Sequence, residues 1–164
     1  MRRGTTLRPL MAGGGQERSL RPGTENVPSI AGLGMAARLV RNNPVREARR
    51  TEKLRERLYR RLTGAVPGLR LNGSEEHRLP GILNLSFPGV KGGELLGAAL
   101  RVAASTGSAC HGENPAASPV LRAMGGPEER AMAAVRLSLG RFTTPDEIDR
   151  ASDALVDSWR RLTS

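Results

Sequence analysis

At 164 residues the chain suits one domain, and 38% hydrophobic with 26% charged residues is the composition of a soluble globular protein. Aromatic residues amount to only 2%, so the core is expected to be aliphatic, and no apolar run is long enough to cross a bilayer. The net charge of +10 is nearly all arginine, since Lys53 and Lys91 are the only lysines; it would suit a phosphate-rich partner, but the arginines are spread along the whole chain.

In chain order, the basic start MRRGTTLRPLMAGGG has an apolar stretch at Leu7 to Met11 that Arg8 and Pro9 interrupt, so no signal peptide is expected. Gly13-Gly14-Gly15 breaks it, and RPGTEN, Arg21 to Asn26, reads as a turn. VPSIAGLGMAARLV then shows helical spacing at Ile30, Leu33, Ala37 and Val40, with Pro28 in the first turn. Asn42-Asn43-Pro44 ends that helix, because proline disfavours the helical conformation at the residue before it. The run REARRTEKLRERLYRR, Arg46 to Arg61, predicts a helix to about Leu62 with Gly64 as its stop. Its apolar positions are Leu54, Leu58 and Leu62, and Glu56 is placed to pair with Arg60 at i,i+4. A solvated helix face explains this charge better than nucleic-acid binding, because no aromatic residues interleave it for base stacking.

Asn72-Gly73 marks a turn. ILNLSF, Ile82 to Phe87, alternates like a strand and is closed by Pro88-Gly89. GGELLGAALRVAAS predicts a helix running towards a short strand. Ser118-Pro119 predicts an N-cap and first helical residue with Gly125 as the stop, and Pro127-Glu128-Glu129 opens another helix with acids at its positive end. VRLSLGR, Val135 to Arg141, reads as a strand. In the last helix Thr144 and Glu147 form a capping box, and Ile148, Ala151, Leu155, Trp159 and Leu162 make the inward stripe. The class is therefore mixed α and β, with no internal repeat.

The single cysteine, Cys110, excludes an internal disulfide and gives no argument for an oxidising compartment. A lone cysteine is more often an inert buried side chain than a nucleophile. Here Gly107, Ser108 and Ala109 give little bulk to bury it, and His111 to Ala117 carries no large apolar anchor. The residues thus predict an accessible thiol on a flexible loop, able to attack or to carry a transferable atom as the thiolate. His111 is weak evidence for a catalytic pair, and one cysteine with two distant histidines offers no metal-ligand spacing.

Five blocks then occur in order: GGGQERSLRPGTEN, LPGILNLSF, STGSACHGE, SPVLRAMG and VRLSLGRFTTPDEID. Together they resemble the C-terminal part of the cysteine desulfurase and selenocysteine lyase family, within the class V aminotransferases. The resemblance runs from about Leu7 to the end. It implies an α/β fold: the C-terminal domain of a fold-type I pyridoxal-phosphate enzyme, with a short mixed sheet packed with helices. Residues 1–26 would be the end of the large cofactor-binding domain, and 27–164 the small domain with the loop bearing the catalytic cysteine.

The same resemblance implies a chemistry. Pyridoxal 5'-phosphate serves as electron sink, and the loop cysteine takes sulfur from L-cysteine, leaving L-alanine and a persulfide. That sulfur passes to an acceptor protein, commonly an iron–sulfur scaffold. Cys110 stands in the nucleophile's position, Arg136 in that of the arginine gripping the substrate carboxylate, and Thr24 in that of the threonine reaching the cofactor phosphate of the partner subunit. A planar guanidinium suits a carboxylate because it offers a two-pronged donor. Without the motif, Arg136 would read as one more surface arginine and Thr24 as part of a helix cap near Asn26.

The family's Schiff-base lysine and ring-stacking histidine would lie upstream of Leu7, and neither Lys53 nor Lys91 has that lysine's context. The chain is therefore expected to be inactive alone, to expose an apolar docking surface and to be poorly soluble in isolation. In the full-length enzyme a cytoplasmic homodimer is implied. L-selenocysteine is the alternative substrate, and a catalytically inactive binding fragment of the same fold the alternative role; neither nucleic acid, membrane nor metal is expected as a partner.

Overall fold

The computed structural model describes residue 2, residues 4–107 and residues 117–164. It forms two compact units, Met1–Pro44 and Val45–Ser164.

In the first unit, α1 (Gln16–Ser19) is a single turn in which Glu17, Arg18 and Ser19 all have positive φ, of 50°, 59° and 62°. Left-handed backbone costs a residue with a Cβ roughly 1–2 kcal/mol, so this turn is a strained connection. The predicted helix follows as α2 (Val27–Asn42). Asn26 caps it by accepting a hydrogen bond from the Ser29 amide at 3.2 Å, and Pro28 sits in its first turn. It ends at Asn42, before Pro44, as the proline requires. None of its residues is buried, and Ile30, Leu33 and Val40 of its apolar stripe are exposed.

The second unit is built on a three-stranded sheet in the order β1 (Arg70–Leu71), β2 (Ile82–Ser86), β3 (Ala134–Ser138), both pairings antiparallel. One sheet face carries Leu83, Leu85, Val135 and Leu137, all buried. Against it pack Leu54, Leu58 and Leu62 of α3 (Pro44–Ala65), Leu95 of α4 (Gly92–Ala98), and Ile148, Leu155 and Val156 of α7 (Pro145–Thr163). The core is aliphatic apart from Phe87 and the partly buried Tyr59 and Trp159, and the Trp159 indole N–H is satisfied by the Pro88 carbonyl at 2.9 Å. Two short helices, α5 (Pro119–Ala123) and α6 (Glu128–Met132), precede β3.

The helix starts and stops follow the sequence with instructive exceptions. Thr144 and Glu147 form the capping box of α7: the Thr144 hydroxyl accepts from the Glu147 amide, and the Glu147 carboxylate accepts from the Thr144 amide at 2.8 Å. By contrast, α3 runs through Gly64 and ends at Ala65, and the left-handed residue is Gly68, with φ +81°. Burial of Leu62 and Val66 on one side of that last turn outweighs glycine's poor helix propensity. Ser118 stands at the N-cap of α5 without a side-chain cap bond, while Gly125 has the positive φ expected of a stop. Leu162 remains 42% exposed, so the apolar stripe of α7 is not buried to its end.

The arginine-rich helix does more than face solvent. Glu56 pairs with Arg55 at 2.7 Å, whereas Arg60 donates to the Glu56 backbone carbonyl instead of its carboxylate. Arg57 and Arg61 reach α7, pairing with Asp149 and Asp153. Arg50 donates to the carbonyls of Gly140, Arg141 and Thr143 at 2.7–2.9 Å, holding the connection from β3 to α7. Hydrogen bonds from Arg57 hold the Asp149 carboxyl below its usual range, and bonds from Thr144 do the same for Glu147.

Leu155→Ala should cost about 2–5 kcal/mol in urea unfolding, whereas Leu162→Ala should change stability by less than about 1 kcal/mol, because its side chain already meets water. Since the Asp149 and Glu147 carboxyls titrate lower folded than unfolded, their contribution is complete above the ordinary carboxylate range. It is lost as pH falls through their folded values, and acid melts of Asp149→Asn should show a weaker loss than the parent chain.

Candidate active site

Among the described residues, the second unit places its polar groups on the sheet face opposite the core. Alternation along ILNLS sends Leu83 and Leu85 inward and Asn84 outward. In register, Asn84 lies opposite Arg136. Beyond β3, Ser105 forms an isolated antiparallel bridge with Arg136: the Ser105 amide donates to the Arg136 carbonyl at 3.2 Å, and the Arg136 amide donates to the Ser105 carbonyl at 2.6 Å. On the far side of β2 the Asn72 amide donates to the Asn84 carbonyl at 2.9 Å. Residues directly opposite one another share a face, so Asn72, Asn84, Arg136 and Ser105 form one polar row across the sheet.

This register fixes how close the middle pair comes. Both backbone groups of Arg136 are spent on Ser105, so Arg136 and Asn84 form a non-hydrogen-bonded antiparallel pair. Such pairs bring Cα atoms to about 4.5 Å, with side chains closer than in hydrogen-bonded pairs. Arg136 is exposed, and among the described residues its guanidinium has no carboxylate partner. Among the described residues it is an unpaired cation on a polar surface.

A side-chain network holds the row. Arg130 of α6 donates from Nε to Asn72 Oδ1 at 2.9 Å and from Nη2 to the Leu71 carbonyl at 2.7 Å. Asn72 Nδ2 donates to Asn84 Oδ1 and to Ser86 Oγ, both at 2.8 Å, and Ser86 Oγ donates to the Arg130 carbonyl at 2.6 Å. At the other end, Ser105 Oγ accepts from the Gly107 amide at 3.2 Å and donates to the Gly107 carbonyl at 2.7 Å, tightening the chain directly after the bridge.

Of the candidate site residues, Arg136 is therefore brought beside the segment that leads to the cysteine. Cys110 itself, with its neighbour His111, lies outside the described residues. Thr24 lies in the first unit, exposed, in the turn between α1 and α2. That turn is shaped by Gly23, with φ +99°, and by Arg21, whose Nη1 donates to the carbonyls of Gly23 and Thr24 at 3.0 and 3.1 Å. Asn72, Asn84, Ser105 and Arg130 were not legible as site residues; the outward polar positions of ILNLS were the one available signal.

Comparison with known proteins now gives the class. Residues 5–151 match the aminotransferase class-V family model, and the chain belongs to that family. More particularly, it is similar to cysteine desulfurase IscS of Anaeromyxobacter sp. (strain Fw109-5), with 47% identity over 152 residues, covering 93% of this chain and 38% of that protein. A NifS-like protein from Rickettsia africae has a solved structure that superposes with a TM-score of 0.80 at 30% identity, over 95% of this chain and 41% of that one. The structure of SspA in complex with cysteine matches with a TM-score of 0.57 at 30% identity, over 86% of this chain and 38% of that one. The chain spans about two fifths of the length of these relatives.

One glycine lets α4 approach β3 closely. A Cβ on Gly92, the first residue of α4, would collide with the Ala134 carbonyl oxygen and meet Thr106 Cγ2 at 3.2 Å, so α4 is seated between β3 and the chain leading to the cysteine. Gly92→Ala should lower stability by about 1–3 kcal/mol, whereas Gly93→Ala, with nothing within 4 Å of its Cβ, should be neutral or stabilising by up to about 1 kcal/mol; paired urea titrations of the two variants measure the difference.

Proposed function

We propose that this chain is the C-terminal part of a pyridoxal-phosphate-dependent cysteine desulfurase, with residues 1–26 ending the large cofactor-binding domain and 27–164 forming the small domain. The observation that carries the reading is the double hydrogen bond between Ser105 and Arg136, which ties the chain leading to Cys110 to the strand bearing a guanidinium that has no carboxylate partner among the described residues. In this reading Arg136 grips the carboxylate of L-cysteine through charged hydrogen bonds and so orients the substrate thiol. The Cys110 thiolate attacks the substrate sulfur. The carbon–sulfur bond breaks as an S–S bond forms, the substrate carbon keeps the electron pair and takes up a proton in place of the sulfur, and the products are L-alanine and a Cys110 persulfide, which passes its outer sulfur to an acceptor protein such as an iron–sulfur scaffold.

The cofactor, when bound, supplies the electron sink that makes the carbon–sulfur bond cleavable. The residues of the first unit suit its phosphate. The Thr24 hydroxyl is exposed and has no partner among the described residues, at a turn where Arg21 holds the carbonyls of Gly23 and Thr24 and the Gly23 amide donates to Gln16 Oε1, so the hydroxyl is the donor offered to an anion. Thr24 would serve the partner subunit of a homodimer. Neither lysine suits the covalent anchor: Lys53 is exposed on α3, and Lys91 is the N-cap of α4 with its ammonium 3.6 Å from Glu94. The anchoring lysine then belongs to a cofactor-binding half that this chain needs for activity, and the exposed apolar stripe of α2 suits contact with that half.

The test uses the enzyme with its cofactor-binding half present. Cys110→Ser should abolish alanine formation from L-cysteine while leaving the fold intact, and Arg136→Ala should raise KM for L-cysteine by about tenfold or more, the loss of a charged hydrogen bond. Desulfuration that survives Cys110→Ser, or rapid alanine release by the 164-residue chain alone, would sink the reading.

A further inference from the structure

We propose that Asn84 is a second carboxylate-binding residue, donating a side-chain N–H to the same substrate carboxylate that Arg136 grips; the inference rests on the reading of Arg136 given above. The orientation of the Asn84 amide follows from the network beneath it. A guanidinium can only donate, so the atom of Asn72 facing Arg130 Nε must be its oxygen. Asn72 therefore turns its NH2 towards Asn84 and Ser86. The Asn84 atom that meets an NH2 must in turn be an acceptor, so Oδ1 is committed to Asn72, and Nδ2 is left on the other side of the amide.

That outward NH2 has no partner among the described residues. The nearest cross-strand neighbour on its face is Arg136, which is itself only a donor and cannot satisfy it. A neutral NH2 beside that guanidinium, in the close non-hydrogen-bonded register, makes a cluster of donors with no side-chain acceptor among the described residues. An anionic ligand with two oxygens supplies what both lack: the guanidinium takes the charge and Asn84 takes one lone pair. Ser86, closing the ring through the Arg130 carbonyl, keeps Asn72 from turning over. Asn72 and Arg130 act through Asn84 and are positioning residues, two links removed from the ligand.

The decisive variant is Asn84→Asp in the enzyme with its cofactor-binding half. It is isosteric and keeps the acceptor facing Asn72 while replacing the outward donor by oxygen. Asn84→Ala accompanies it as a neutral change that separates a lost donor from an added charge. Both should raise KM for L-cysteine, Asn84→Ala by about fivefold to tenfold and Asn84→Asp by more, with kcat changing by less than about threefold. The inhibition constant of cysteamine, which is cysteine without its carboxylate, should stay within about twofold, since neither residue contacts the rest of the ligand. A purely structural role for the network would move both constants together, and that result overturns the proposal. If Arg136→Ala raises KM while both Asn84 variants leave it unchanged, Asn84 has no part in binding and only this inference fails; if all three leave it unchanged, the reading of Arg136 fails with it.

Discussion

The antiparallel bridge between Ser105 and Arg136 is the constraint on which the site depends. A strand at the edge of a sheet has a free row of amides and carbonyls, and β3 is such an edge. By spending both backbone groups of Arg136 on Ser105, the fold settles two matters at once. The chain that continues to Cys110 is fastened to the sheet within a few residues of the thiol. The outer edge of Arg136 is also closed, which goes with its close, non-hydrogen-bonded pairing to Asn84 within the β2–β3 ladder. A slip of one residue between β2 and β3 would face Arg136 with Leu83 or Leu85, because side chains alternate with period two.

The two faces of the sheet divide the work. Leu83, Leu85, Val135 and Leu137 bury their side chains against α3, α4 and α7 and hold the strands in register. The same strands present Asn84 and Arg136 to the opposite face, where Asn84 is half-buried and Arg136 exposed. Rigid apolar packing on one side holds the backbone that places Asn84 and Arg136 side by side on the other.

The arginine surplus of the chain also has an internal use. Arg50, Arg57 and Arg61 fasten α3 to the β3–α7 connection and to α7 itself, and the partly buried Arg130 fastens α6 to β1. Arginine suits these places because its planar fork reaches several carbonyl or carboxylate oxygens together. A net charge of +10 thus reflects, in part, a protein that ties its layers together through guanidinium groups rather than aromatic packing, of which it has little.

The sequence by itself determined the elements and the family. Thr144 with Glu147, Pro28, Pro44 and the alternation of ILNLSF act through local backbone geometry, which neighbours a few residues away decide, and α2, α7 and β2 lie where those signals put them. The order of five motifs likewise carried Arg136, Thr24 and Cys110 as candidates. Tertiary structure decided what local rules could not. Gly64 stayed inside α3 because Leu62 and Val66 are buried beside it, and Leu162 stayed half in water although the same stripe buries Ile148 and Leu155. The row from Asn72 through Asn84 and Arg136 to Ser105 joins residues up to 64 positions apart, and only strand register sets them side by side. The direction of the Asn84 amide is fixed by an arginine 46 residues further along the chain, because hydrogen-bond polarity passes through contacts in space and leaves no trace in spacing along the sequence.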